Sequence, residues 1–198
     1  MKVTISLNDV LRDQINQLIY TYDKYFFYGK EKKSQIEYSG ITEYDLTKYF
    51  TEFNSLQELN TFMYLEHPLE VNGHADETYD GLSNKLNEFM MDISDDHDVS
   101  FELVSKEIDK SIPATFFYLS KTGCRFKTIR FVTDSKEEWG DSDILITANP
   151  IALENKPNGK ISIKIATPYN KDIEADYTYD SLIELINNKE KIEILIKK

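Results

Sequence analysis

The chain is short of cysteine, arginine and long apolar runs, and each shortage excludes something. One cysteine, Cys124, in 198 residues cannot form an internal disulfide. With no histidine near it in sequence to activate it, Cys124 reads as a structural thiol, and a reducing, cytoplasmic setting is expected. No apolar stretch approaches the roughly 20 residues that cross a bilayer, so no membrane contact is expected. The first residues also lack the basic and apolar segments of a secretory signal. Positive charge is scarce: 23 Lys and Arg stand against 35 Asp and Glu, a formal charge of −12, and the arginines are only Arg12, Arg125 and Arg130. Such a chain repels phosphate backbones, and no lysine stripe with interleaved aromatics offers a local exception, so nucleic acid is not an expected partner. His67, His74 and His97 are scattered without the paired spacing of a zinc site, so no metal is expected from them.

What is present is an alternation of apolar strands and amphipathic helices. Residues 2–7 are rich in β-branched side chains and predict a strand buried on both faces. Asn8 and Asp9 break it, and apolar positions at three- and four-residue spacing then predict a helix over 10–27, ending before Gly29. Residues 29–40 read as a charged loop with a possible strand over 35–38. Two short helices follow within 42–65, capped by Thr42 and Ser55, and another helix covers 76–91. Further strands are predicted over 99–104, 128–132, 143–147 and 161–165, and further helices start at Ser111 and cover 179–187. Residues 192–196 fit either a strand or a helical tail. Asp141 and Asp143 precede a strand and read as solvated or capping groups. Strand and helix alternating at this spacing imply an α/β fold with a doubly wound parallel sheet. Its core would comprise residues 1–28 and 95–198, with 29–94 as a helical, aromatic-rich insertion. That insertion carries Tyr44, Tyr49, Phe50, Phe53, Phe62 and Tyr64. These rings read either as a local mini-core or as a contact surface for other protein subunits.

Sites in such sheets form beyond the carboxyl ends of the strands, here at Ser6 to Asp9, Ser105-Lys106, Thr133 to Lys136 and Thr147 to Pro150. Three pieces lie there in order: Ile5-Ser-Leu-Asn-Asp-Val-Leu-Arg-Asp13, then Phe101-Glu-Leu-Val-Ser-Lys106 with the run from Ser111 to Lys121, then the run from Asp134 to Pro150. Together they resemble the haloacid dehalogenase (HAD) superfamily, near its deoxyribonucleotidase-like branch. The resemblance implies a HAD-like, Rossmannoid core with a cap-type insertion. It also implies a reaction in which one aspartate attacks phosphate, a second donates a proton and magnesium is held beside them. Aligned without gaps, the nucleophile position is Ser6, the acid position Asn8 and the two metal positions Thr147 and Ala148, so all four carboxylates are missing. Magnesium needs anionic oxygen ligands and the covalent step needs a carboxylate. The resemblance therefore implies a degenerate enzyme with no cofactor, in which only Ser105 and Lys136 persist as an anion-binding pair.

The expectation is a non-catalytic structural or interaction protein, oligomeric or part of a larger assembly. HAD-like proteins of this Lys-, Asn- and Ile-rich kind look like those of tailed, crAss-like bacteriophages. The resemblance so suggests a virion neck or tail-ring subunit, made in the host cytoplasm. Two alternatives stay open: an active magnesium-dependent phosphatase or nucleotidase in which Asp9 or an acid from a distant loop replaces a missing carboxylate, and a non-catalytic binder of phosphorylated ligands.

Overall fold

The computed structural model describes residues 1–31 and 33–196; Lys32, Lys197 and Lys198 lie outside them. Six strands, β1 (Lys2–Ser6), β2 (Ser100–Lys106), β3 (Thr128–Val132), β4 (Ile144–Thr147), β5 (Ile161–Ile165) and β6 (Tyr177–Tyr179), form one sheet in the order β3-β2-β1-β4-β5-β6. Every neighbouring pair is parallel. The chain winds outward from β1 to β3, then returns to lay β4 along the other side of β1. That reversal opens a crevice beyond the carboxyl ends of β1 and β4, where open α/β sheets bind ligands.

The helices are α1 (Gln14–Tyr22), α2 (Leu56–Thr61), α3 (Leu82–Asp96), α4 (Ser111–Thr122), α5 (Pro150–Glu154), α6 (Leu182–Asn187) and α7 (Lys189–Ile196). No helix among the described residues is long and apolar enough to cross a membrane. Val3, Ile5, Leu103, Ile146 and Ile163 of the strands pack with Leu86, Phe89 and Ile93 of α3, Leu185 of α6 and Ile192 of α7. Covering both faces is what a run of β-branched residues in a central parallel strand requires. Helix α3, although it falls largely within 29–94, thus belongs to the packing of the sheet.

A second core joins α1 to the aromatic segment through Ile15, Leu18, Tyr22, Phe50, Leu59, Phe62, Met63 and Tyr64. Tyr22 meets Phe50 edge-on at 5.1 Å, and Phe53 lies 5.1 Å from Phe62. The expectation of a contact surface is corrected for Phe50, Phe62 and Tyr64, which are buried, and for Tyr49 and Phe53, which are packed against them. The segment has no sheet to lie on, so it buries its apolar side on itself and on α1. Tyr44, 36% exposed, stays at the rim.

Several element boundaries differ from the sequence reading for identifiable reasons. The first helix begins at Gln14, because Leu11 N and Arg12 N both donate to Leu7 O and fold residues 7–12 back on β1. Past Tyr22 it continues as a wider turn, Asp23–Phe27. Residues 35–38 form no strand, and a tight turn spans Tyr38–Gly40. Thr42 caps nothing; its N–H donates to the Tyr49 hydroxyl, while Asp45 caps the turn Leu46–Lys48. Ser55 caps α2 as expected. Ser111 lies inside α4 and bonds back to Ile108. Tyr177–Tyr179 is a strand rather than a helix start, Ser181 capping α6 instead, and residues 192–196 belong to a helix.

One polar side chain ties these layers together. Arg12 is fully buried and pairs with the equally buried Glu107 just beyond β2, Nη2 donating to Oε1 at 2.6 Å. Its other donors reach Thr115 Oγ1 of α4 at 2.7 Å and Asn8 Oδ1 at 3.0 Å. Breaking a buried pair leaves a stranded charge. Arg12→Ala is therefore expected to cost about 3–5 kcal/mol in urea unfolding, whereas Arg12→Met with Glu107→Met recovers much of that loss.

Candidate functional site

The exit of β1 builds the first wall of the crevice. Asp9 adopts a left-handed backbone, φ 57°, a conformation that Asp tolerates better than most residues. Its carboxylate accepts from Tyr169 Oη at 2.8 Å and more loosely from Ile15 N at 3.3 Å. Burial pushes the carboxyl up to about 6, with those two hydrogen bonds pulling the other way. The same carboxylate helps burial hold the Tyr169 phenol well above its ordinary range.

The second wall comes from the turn Ser135–Glu138 beyond β3. Arg130 donates to Glu137 O at 2.6 Å and Glu138 O at 2.7 Å, while buried Trp139 donates through Nε1 to Ala152 O at 2.8 Å. Gly140 makes room for this clamp: its φ is +49°, and a Cβ there would lie 3.0 Å from the Arg130 guanidinium. The turn has three residues per revolution, so Ser135 and Glu138 share the inward face while Lys136 and Glu137 point to solvent.

Glu138 therefore places a carboxylate, 4% exposed, between the ends of β1 and β4. It accepts from Ser6 Oγ at 2.7 Å, Thr147 Oγ1 at 3.1 Å and Asn149 Nδ2 at 2.5 Å. Burial raises its pKa, and these donors together with the Lys106 ammonium oppose the rise. Above the carboxylate lies a cavity of about 510 Å³ lined by Ser6, Asn8, Asp9, Ser105, Lys106 and Glu138, with Tyr44, Tyr64 and Tyr169 among its aromatic walls.

The structure brings Ser6, Asn8 and Ser105 together at this cavity, but not in the arrangement expected. Ser105 Oγ donates to Glu107 at 2.8 Å. Lys136 is exposed and does not line the cavity, so the Ser105 and Lys136 pair is corrected: the lysine at the site is Lys106. Thr147 faces Glu138, whereas Ala148 is buried in the sheet core and leaves the site-facing place to Asn149. Glu138 and Tyr169 were not singled out from the sequence, Lys106 was named only as part of a strand end, and Ser6 has beside it a carboxylate that the sequence did not reveal. The available signal was Trp139, a lone tryptophan that anchors the turn and rotates its neighbour inward. Cys124 is partly buried against the core, and burial pushes its thiol up to about 11. His67 stacks on Tyr25 at 3.8 Å. Asp143 accepts from Lys2 N at 2.8 Å at the opposite end of the sheet.

Magnesium, which the resemblance implies for active relatives, does not fit these donors. Both Glu138 oxygens already accept hydrogen bonds, and the side chains next to it are neutral Ser6, Thr147 and Asn149. No group of three His, Cys, Asp or Glu that could hold a metal ion occurs among the described residues.

Comparison with known proteins places the fold. No family model matches the chain, and no curated protein matches it. Among solved structures, the chain is similar to a dehalogenase crystallised with an intermediate complex, at 13% identity and a TM-score of 0.53, over 93% of this chain and 94% of that one. The likeness establishes the fold: the doubly wound, parallel α/β architecture expected from the sequence is borne out.

Because the folded-state pKa of Asp9 lies above its ordinary value, its contribution to stability is present below about pH 4 and lost as pH rises through about 6. Asp9→Asn is expected to remove that loss, raising stability at pH 8 by on the order of 2–3 kcal/mol relative to wild type and changing little at pH 4. Denaturant unfolding across pH 4–8 measures it.

Proposed function

We propose that the chain acts by holding other molecules and not by transferring phosphoryl groups: a non-catalytic protein of HAD-like fold. In this reading it is an interaction subunit of a larger protein assembly, a bacteriophage neck or tail-ring subunit being the form that the sequence resemblance suggests. The observation that carries the loss of catalysis is the bond from Ser6 Oγ to Glu138. Where the aspartate-based phosphotransfer that the resemblance implies needs an attacking carboxylate next to cations, this site has a hydroxyl hydrogen-bonded to a buried carboxylate. That carboxylate repels a phosphate dianion at short range, and Lys106 is the single cationic side chain lining the cavity among the described residues.

The interaction half of the reading has a different support. The aromatic segment is consumed by its own core, but α4 presents Phe116 and Phe117, 50% and 43% exposed, with Leu69 at 44% beside them. Phe117 and Leu69 crowd the same space around Gly73, and Phe116 lies 5.5 Å from Phe131 of the edge strand β3. Contiguous exposed rings of this kind mark contact surfaces.

Two measurements test the reading. Magnesium-supplemented assays with p-nitrophenyl phosphate and a nucleotide panel are expected to show no turnover above background; turnover that disappears in Ser6→Ala refutes it. Sedimentation at high protein concentration is expected to show self-association or co-assembly that Phe116→Glu and Phe117→Glu abolish without lowering the unfolding temperature. A strictly monomeric chain that copurifies with no assembly refutes the interaction role.

A further inference from the structure

The crevice between β1 and β4 is a partly apolar cavity, and the charged groups that line it are mostly acidic. The charged residues lining it are Asp9, Asp45, Glu138 and Lys106. Lys106 is near enough to Glu138 to oppose the rise in its pKa, with no ion pair between them among the described residues. Asp9 feels the charge of Arg12 only at a distance: it takes part in no ion pair among the described residues, its two hydrogen bonds come from the uncharged Tyr169 hydroxyl and Ile15 N–H, and Arg12 is ion-paired with Glu107. A desolvated carboxylate without a cation is costly unless something supplies one.

The surroundings of Asp9 are suited to an organic cation. The rings of Tyr44 and Tyr169 stand 5.7 Å apart, tilted by 47°, and Tyr169 reaches Asp9 directly. Aromatic faces beside a carboxylate attract ammonium groups. Ile15, Leu59 and Met63 form an apolar wall of the same cavity, so a cation with a hydrocarbon body gains burial that a bare metal ion does not. About 510 Å³ is ample for such a ligand.

We infer that this cavity is a binding site for a small organic ammonium ion, its charged end against Asp9 beside the paired rings of Tyr44 and Tyr169 and its hydrocarbon body along Ile15, Leu59 and Met63. The inference deepens the non-catalytic reading by naming what the vacated crevice accepts; it needs no reaction. An anion of the same shape is disfavoured by the three carboxylates, which separates this site from a phosphate seat.

The test is isothermal titration of the full chain at pH 7.5 with phenethylamine, with phenylacetate as its anionic counterpart and with inorganic phosphate. Phenethylamine is expected to bind saturably at one site, phenylacetate and phosphate not to compete with it, and Asp9→Asn to weaken it by about tenfold or more, as loss of a charged hydrogen bond does. Met63→Trp, which fills the apolar side, is expected to abolish binding. Absence of saturable amine binding, phenylacetate or phosphate binding as tightly as the amine, or undiminished affinity in a folded Asp9→Asn variant overturns the inference. If Asp9→Asn does not fold, the wild-type preference between amine and carboxylate decides. Failure here leaves the non-catalytic reading standing, because that reading falls only to magnesium-dependent turnover.

Discussion

The buried pairing of Arg12 with Glu107 is the constraint on which the rest of the molecule depends. A guanidinium with no exposed surface has to place all its donors, and here they reach Glu107 beyond β2, Thr115 on α4 and Asn8 beyond β1. Glu107 Oε1 in turn accepts from Ser105 and Thr115 at 2.8 and 2.6 Å. The pair contributes little net stability against a well-packed apolar substitute, because desolvating two charges offsets most of their attraction. What it supplies is geometry. It holds residues 7–12 folded against the sheet, and this places Asn8 and Asp9 at the cavity.

The crevice carries its negative charge elsewhere than the family resemblance implies. Positions where the family resemblance implies carboxylates hold Ser6, Asn8 and Thr147, while a carboxylate enters from the opposite side as Glu138. Three neutral donors satisfy it, so it is tolerated at a depth where an unpaired carboxylate would be expensive. The same donors are thereby withdrawn from any phosphate or metal. Asp9, which takes part in no ion pair among the described residues, adds a second buried carboxyl to the lining of the chamber.

The aromatic segment closes this chamber by packing on itself. Tyr22, Phe26, Phe50, Phe53 and Phe62 stack at ring separations of 5.0–5.8 Å, and the same core extends to Tyr169 of the loop after β5. Burying rings this large supplies the apolar area that a small appendage otherwise lacks. It also removes most of their surface from external contact, while Phe116 and Phe117 on α4 stay exposed.

Much of the fold was legible in the residues. Alternating apolar runs located five of the six strands, since a parallel strand covered on both faces needs β-branched residues wherever it occurs. Ser55, an N-cap acting through its own hydroxyl and an amide three residues on, was equally readable. Tyr177–Tyr179 was missed, because three residues carry too little pattern to outweigh the helix that follows. The site divides in the same way. That Ser6, Asn8 and Thr147 lack charge is a property of the sequence and needs no coordinates. That Glu138 points inward while Lys136 points outward depends on Trp139 and Arg130 locking one turn, a contact between segments far from β1 along the chain. Composition and periodicity determined which elements form; only the packing of distant segments decided which side chains meet, because a side chain's direction is set by what it packs against.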